Sequence, residues 1–255
     1  MKQFSRLADW RNYRASLNLP IGFVATMGAL HAGHLSLLQH SLVDNPHTVA
    51  SIFVNPTQFN RTADLDTYPR TLEQDLVMLE DAGVDAVLLP AYEELYPDAF
   101  RFQVIETELS QRFCGAHRAG HFSGVLSVVL KLLNLVAPTR AYFGEKDYQQ
   151  LQLIRGMAEA FHLPVDIIGC ATLRESDGLA MSSRNVRLNK QQRKQAAELY
   201  RCISTARDSA TARAALEQAG FVVDYVEDYI EGEVGRRLAA ASLGDVRLID
   251  NVPLT

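Results

Sequence analysis

"FVATMGALHAGHLSLLQ", residues 23–39, is an apolar run that stops at Thr26, then two glycines and two histidines, then a leucine-rich stretch. This order reads as a strand, a glycine turn and a helix. Gly28 permits a tight turn, and Gly33 lets the backbone pass close to a ligand. The helix is expected to start near His34, where free N–H groups and the helix dipole favour an anion. His31 and His34 are three apart, so on a helical start they face the same way. Two imidazoles so placed can grip a phosphate chain and stabilise charge moving onto it. A glycine turn with two surface histidines is the plainer alternative. The pair could also bind a metal, although no third ligand lies nearby in sequence.

Outward from this stretch, short apolar runs alternate with helical patterns. Residues 21–26, 48–54, 85–90 and 140–144 read as buried strands. Leu35, Leu38 and Leu42 keep a helical spacing. So do Leu72, Leu76 and Leu79, behind a Thr71–Gln74 pair that resembles a capping box. Residues 124–136 are apolar on nearly every face and suggest a core helix, and Leu151, Ile154, Ala158 and Phe161 mark one face of another. Strand, helix, strand, helix implies an α/β fold with a parallel sheet. Such sheets bind ligands at the carboxyl ends of their strands. After about residue 183 the chain becomes charged and alanine-rich, and "FVVDYVEDYI" and "GDVRLIDN" then alternate like antiparallel strands. A division into a domain of residues 1–182 and a smaller α+β domain of residues 183–255 follows.

The 255 residues carry a formal charge of −5, which speaks against a nucleic-acid partner. An anionic small substrate stays open, because local fields outrank net charge in a cleft. Cys114, Cys170 and Cys202 are scattered and form no C-x-x-C pair, as expected of free thiols in a reducing compartment. The N-terminus lacks the apolar segment of a secretory signal. The most apolar stretch, residues 124–138, is shorter than the about 20 residues a membrane span needs. A cytoplasmic protein is expected, with no membrane partner.

Four further stretches carry candidate chemistry. In "SIFVNPTQFN" (51–60), Asn55-Pro56 turns the chain out of a strand and Gln58 projects at the same sheet edge as the histidines. An amide side chain suits a hydroxy acid, although an ordinary Asn-Pro turn explains the stretch as well. In "RAYFGEKDYQQLQLIR" (140–155), a strand runs into Gly144, Glu145, Lys146 and Asp147, and a helix starts near Tyr148. Lys146 is a point charge for phosphate, Asp147 can take ribose hydroxyls or cap the helix, and Gln149 and Gln150 are expected to face the cleft. Two strand ends of the same design in one sheet argue for a nucleotide site more strongly than either alone. "TLRESDGLAMSSRNVRL" (172–188) holds Met181, Ser182, Ser183 and Arg184, a set suited to closing over a polyphosphate or, more plainly, to a polar linker. In "RFCGAHRAGHFSGV" (112–125), Arg118 could steer an anion and His121 could line the pocket or serve a structural loop.

The ordered motifs TMGALHAGH, SIFVNPTQF, YPRT, GHFSGV, FGEKDYQQL, RESDGLAMSSRN and RLIDN together resemble the pantoate–β-alanine ligase family over nearly the whole chain. That family has a Rossmann-like domain similar to class I aminoacyl-tRNA synthetases, with "HAGH" and "MSSR" standing in the two signature places. The resemblance implies that pantoate and ATP form pantoyl adenylate and pyrophosphate, and that β-alanine then displaces AMP to give pantothenate. It places Met27, Gly28, Ala29, Leu30, His31, Ala32, Gly33 and His34 in the ATP site, with His34 as proton donor. It further gives Gly144, Glu145, Lys146 and Asp147 to adenosine and phosphate, the backbone of Leu173 to adenine, and Met181, Ser182, Ser183 and Arg184 to a closing loop. Gln58 and Gln150 would hold pantoate, with Gln58 also near β-alanine. Catalysis would fall to His34, His31, Lys146, Ser182, Ser183 and Arg184. Mg²⁺ accompanies ATP, with no protein ligand assigned, and the family forms homodimers.

Three departures stand out: Ala119 replaces the family's usual proline, Leu173 replaces a valine, and the C-terminal domain is shorter around residues 228–240. A nucleotidyltransferase without a ligation step and a silent binding protein on the same fold are the competing readings. No G-x-S-x-G nucleophile signature is present.

Overall fold

In the computed structural model, which describes residues 1–254, six strands form one parallel sheet: β1 (Lys2–Phe4), β2 (Gly22–Thr26), β3 (Thr48–Ile52), β4 (Ala86–Leu88), β5 (Arg140–Gly144) and β6 (Asp166–Cys170). Their order is β1-β4-β3-β2-β5-β6, with every pairing parallel. The chain winds outward from β2 through β3 and β4, then returns to start β5 on the other side of β2. The reversal opens a crevice beyond the carboxyl ends of β2 and β5, where doubly wound sheets take their ligands.

Helices cover both faces, so the central strands are apolar without alternation. Helices Ala32–Asp44 and Leu72–Asp81 lie over one face, where Val24, Leu38, Leu79 and Tyr142 are fully buried. Helices His121–Val136 and Tyr148–Ala160 cover the other, with Trp10, Phe23, Leu126 and Ile154 at its centre. Helix His121–Val136 is apolar nearly all round, and eleven of its sixteen residues are buried. It begins three residues before the expected position because Gly120, at φ 76°, turns the chain into it.

Three antiparallel strands form a second sheet, β7 (Val222–Glu231), β8 (Val234–Leu243) and β9 (Val246–Pro253). Helices Lys190–Ala196, Glu198–Thr205 and Ser209–Gln218 cover it around Leu199, Ile203, Leu216, Phe221 and Val246. The molecule is therefore a Rossmann-like parallel-sheet domain joined to a smaller α+β unit.

Several local expectations change. Strand β3 ends at Ile52 rather than at residue 54, ahead of the Asn55-Pro56 exit, and β4 is limited to three residues. Strands β1, β6 and β8 add to those read from sequence. The Thr71–Gln74 capping box does not form. Thr71 instead donates its hydroxyl to Asp75 Oδ1 at 3.2 Å, because that carboxylate is held in place by the turn after β2.

Candidate active site

The turn after β2 is built on two left-handed residues, Gly28 at φ 76° and Ala29 at φ 50°. A Cβ on residue 28 would also come within 2.9 Å of Asp75 Oδ2, so glycine is required there twice over. Strain at a non-glycine such as Ala29 persists only where its surroundings hold it. Here the holder is Asp75, from helix Leu72–Asp81. Its carboxylate accepts from Ala29 N at 2.9 Å and from Leu30 N at 2.8 Å, and its side chain is almost fully buried. Thr26 adds a third tie by accepting from Gly28 N at 3.2 Å.

The helix begins at Ala32, not near His34, because His31 serves as its N-cap. His31 Nδ1 accepts from Gly33 N at 3.1 Å, and His34 Nδ1 accepts from His31 N at 3.3 Å. The two rings stand with centroids 4.1 Å apart. This reciprocal cap sets the tautomers. Each Nδ1 receives a backbone proton, so each neutral ring carries its own hydrogen on Nε2. Burial, with Lys146 nearby, pushes the His31 pKa down to about 4. Burial, then His31 and Lys146, pushes that of His34 down to about 3. The pair is neutral at physiological pH and presents N–H donors rather than charges.

Across the crevice, β5 ends at Gly144 and the turn Glu145–Asp147 leads into helix Tyr148–Ala160. Lys146 Nζ lies 3.7 Å from Asp147 Oδ2. Asp147 makes no capping bond to the helix, which leaves its carboxylate to the cleft. Gln150 lines the cleft. Gln149 does not, contrary to expectation. It is buried, accepts from Cys114 N at 3.0 Å and donates to the carbonyls of Leu109 and Arg112 at 2.8 Å. Adjacent helical residues point about 100° apart, so one glutamine faces the ligand space and the next braces the loop before helix His121–Val136.

Asn55, buried at the β3 exit, donates to Gln58 Oε1 at 3.1 Å and to Gly124 O at 3.2 Å, and accepts from Tyr96 Oη at 3.1 Å. These bonds fix the Gln58 amide, whose Nε2 sits 3.0 Å from Met27 Sδ. Below it, His121 donates from Nδ1 to the Gln58 carbonyl at 2.8 Å and accepts from Arg118 on Nε2 at 2.9 Å. Burial and the Arg118 charge push the His121 pKa down to about 3.

These parts enclose a cavity of about 230 Å³. Its walls bring together Met27, His31, Gly33, His34, Gln58, Gly144, Lys146, Asp147, Gln150, Leu173 and the segment Met181–Arg184, with Val125, Val128, Val129 and Leu132 as an apolar floor. Gly28, Ala29 and Leu30, in the turn, and Ala32, the first residue of the helix, do not line the cavity. The Glu145 side chain is directed away, to Arg236 at 2.7 Å. Ser183 donates to Ala29 O at 3.0 Å, joining the segment after β6 to the histidine turn, and Arg184 pairs with Asp64 at 2.9 Å. Among the described residues no group of three or more His, Cys, Asp or Glu side chains is arranged to hold a metal ion, and no helix is long and apolar enough to cross a membrane.

The neutral histidines, His121 buried and His34 half-buried, make stability depend on pH. An unfolded-chain histidine titrates near 6.5, whereas His34 and His121 resist protonation down to about 3. Below about pH 6.5 the unfolded chain therefore binds protons that the folded one refuses, and folding weakens until the folded pKa is reached. At pH 5 the loss is about 2 kcal/mol for each ring. The urea midpoint should drop accordingly between about pH 7.5 and pH 5, and His121→Gln should make the drop smaller. A midpoint that does not move would mean that these rings are open to solvent.

The chain matches the family described as pantoate-beta-alanine ligase over residues 1–253. It is 51% identical to the pantothenate synthetase of Bdellovibrio bacteriovorus, covering 97% of each chain. It is 50% identical to that of Coxiella burnetii, over 99% of this chain and 96% of the relative. Among solved structures, pantothenate synthetase from Thermus thermophilus superposes with a TM-score of 0.90 at 42% identity, over 99% of both chains. A pantoate-beta-alanine ligase from Francisella tularensis, described as complexed with beta-gamma ATP and beta-alanine, gives 0.93 at 37% identity, over 99% of this chain and 97% of that one.

Proposed function

The chain belongs to the pantoate–β-alanine ligase family and catalyses the ATP-dependent ligation of pantoate to β-alanine, and on that premise we propose how its residues divide the reaction. The observation that carries the assignment is the single cleft joining the ends of β2 and β5, with two neutral N–H donors on one wall and Lys146 on the other.

A carboxylate is a poor acyl donor because its leaving group is oxide. Attack of a pantoate carboxylate oxygen on the α-phosphorus replaces that leaving group with AMP. The amine of β-alanine then attacks the acyl carbon, AMP departs, and pantothenate forms. Charge builds first on the α-phosphate and the departing pyrophosphate. His31, His34, Lys146, Ser182, Ser183 and Arg184 answer it with hydrogen bonds and positive charge. His34 is the donor to the developing charge, through a hydrogen bond from its neutral Nε2–H. Met27 to His34 and Gly144 to Asp147 hold the nucleotide, Glu145 through its backbone alone, and the backbone of Leu173 borders the adenine. Gln58 and Gln150 take the hydroxyl and carboxylate of pantoate, and Gln58 also borders β-alanine. The floor of Val125, Val128, Val129 and Leu132 matches the two methyl groups of pantoate.

ATP arrives with Mg²⁺, which typically keeps one or two carboxylates beside substrate phosphates. Asp147 is the residue that would hold it, since that carboxylate borders the cleft and makes no capping bond. The cation would neutralise phosphate charge. We further assign the domain boundary near residue 183, after the last strand of the parallel sheet. A homodimer follows from the family resemblance, and a cytoplasmic setting from the free, buried cysteines.

The test is pyrophosphate and AMP formation from ATP. Pantoate alone should release at least one equivalent of pyrophosphate, and β-alanine should then start steady formation of AMP and pantothenate. Pyrophosphate release that waits for β-alanine would overturn the separation into two half-reactions.

A further inference from the structure

A second cavity, about 400 Å³, lies against the first and shares Lys146, Asp147, Ser182 and Arg184 with it. Five arginines and Lys146 line it, against four aspartates. Most of these cations are answered within the protein. Arg184 and Arg187 share Asp64 at 2.9 and 3.0 Å, and Arg247 meets Asp224 at 2.7 Å. Among the described residues, Arg61 and Arg118 have no carboxylate within ion-pair distance; Arg61 is exposed, whereas Arg118 is half-buried. Its guanidinium donates only to neutral acceptors, His121 Nε2 at 2.9 Å and the Gln58 carbonyl at 3.4 Å. Burial, with Arg184 and Arg247 close by, pushes its pKa down to about 10. A half-buried, partly desolvated cation without a counter-charge carries a cost that an arriving anion relieves.

We propose that this second cavity receives the inorganic diphosphate released by adenylation, with Arg118 as its principal cation. The inference rests on the two-step reaction above. In that step a bond forms between a pantoate oxygen and the α-phosphorus. The bond from the α-phosphorus to the bridging oxygen breaks, and its electron pair leaves on the diphosphate. The new charge therefore appears on the side of the α-phosphate away from pantoate. Lys146, Asp147, Ser182 and Arg184, the wall common to both cavities, form the passage between them, two cations against one carboxylate. The surplus of guanidinium groups matches a multiply charged anion. β-Alanine is a poorer match, because it brings one carboxylate and its own ammonium. Arg118 also donates through His121 toward the Gln58 turn, so the diphosphate cavity is mechanically joined to the pantoate side.

Pantoate-dependent exchange of labelled pyrophosphate into ATP reads this directly. Arg118→Gln should raise the pyrophosphate concentration for half-maximal exchange by about tenfold or more, a larger factor than any change in the KM for β-alanine. Arg118→Lys should recover part of the loss, since charge returns without the planar fork. Should Arg118→Gln fail to fold, Arg247→Gln, on the same cavity, should raise the same concentration by a smaller factor. An unchanged pyrophosphate dependence in the folded variant would overturn the proposal. A raised KM for β-alanine with unchanged pyrophosphate dependence would give the cavity to the substrate carboxylate instead. Wild-type enzyme that exchanges no pyrophosphate would overturn the two-step reading and not this one alone.

Discussion

His34→Ala should retain ATP binding and lose at least about 100-fold in kcat, the usual cost of one donor aimed at developing charge. The expectation follows from the cap. His34 Nδ1 is committed to His31 N, so the hydrogen on Nε2 is the one available to the cleft. Burial keeps the ring neutral, which makes it a donor that does not depend on pH across the physiological range. Alanine removes that donor and half of the cap, and the cap alone costs about 0.5–2 kcal/mol of stability. Lys146, Arg184 and the helix N–H groups remain to hold the triphosphate. Single-turnover pyrophosphate release and calorimetric titration with ATP separate the two effects. An unchanged kcat would remove His34 from the chemistry, and a weakened ATP affinity with kcat intact would make it a binding group.

Asp75→Ala should be the most damaging substitution outside the cleft. Asp75 touches no ligand space, but its buried carboxylate pairs two half-buried backbone N–H groups in a turn that is otherwise strained. Leaving both unpaired costs about 2–6 kcal/mol, a large part of the about 5–15 kcal/mol that holds a domain together. A fall in the thermal midpoint and a loss of adenylation should appear together, because the same turn carries His31. Asp75→Asn keeps one acceptor oxygen and should fall between the wild type and alanine in both measurements. If Asp75→Ala retains both midpoint and rate, Thr26 and Gly28 suffice to hold the turn.

Asp75 also marks the limit of sequence reading. The turn after β2 was legible because glycine and histidine at a strand end have few other uses. Its brace was not, since Asp75 sits 46 residues away in the ordinary-looking helix "LEQDLVMLED". The role of Asn55 is hidden for a related reason: an Asn-Pro turn is common, and only the tertiary contact to Gly124 and Gln58 reveals the amide as a junction. Gln149 and Gln150 could not be told apart, because which of two neighbours faces the ligand depends on helix phase. The parallel sheet was legible from alternating apolar runs and helical spacing. Strand β8 was not, because "RRLAAASL" carries small residues that read as helix formers. They fit a sheet here because Ala239, Ala240 and Ala241 lie fully covered against their surroundings. The helix start at Ala32 is hidden in the sequence because histidine is an unusual N-cap.

The second sheet does more than border the crevice. Asn251 on β9 donates to the carbonyls of Glu145 and Lys146 at 2.8 and 3.0 Å, and Arg236 on β8 pairs with Glu145 at 2.7 Å. The lysine turn thus borrows its shape from residues about a hundred positions further along the chain. A chimera that joins this parallel-sheet half to a relative's C-terminal half would fold both cores and still misplace Lys146, unless an amide and a guanidinium arrived at those two sites. For recombination between relatives, the heritable unit of the nucleotide site is the pair of halves together.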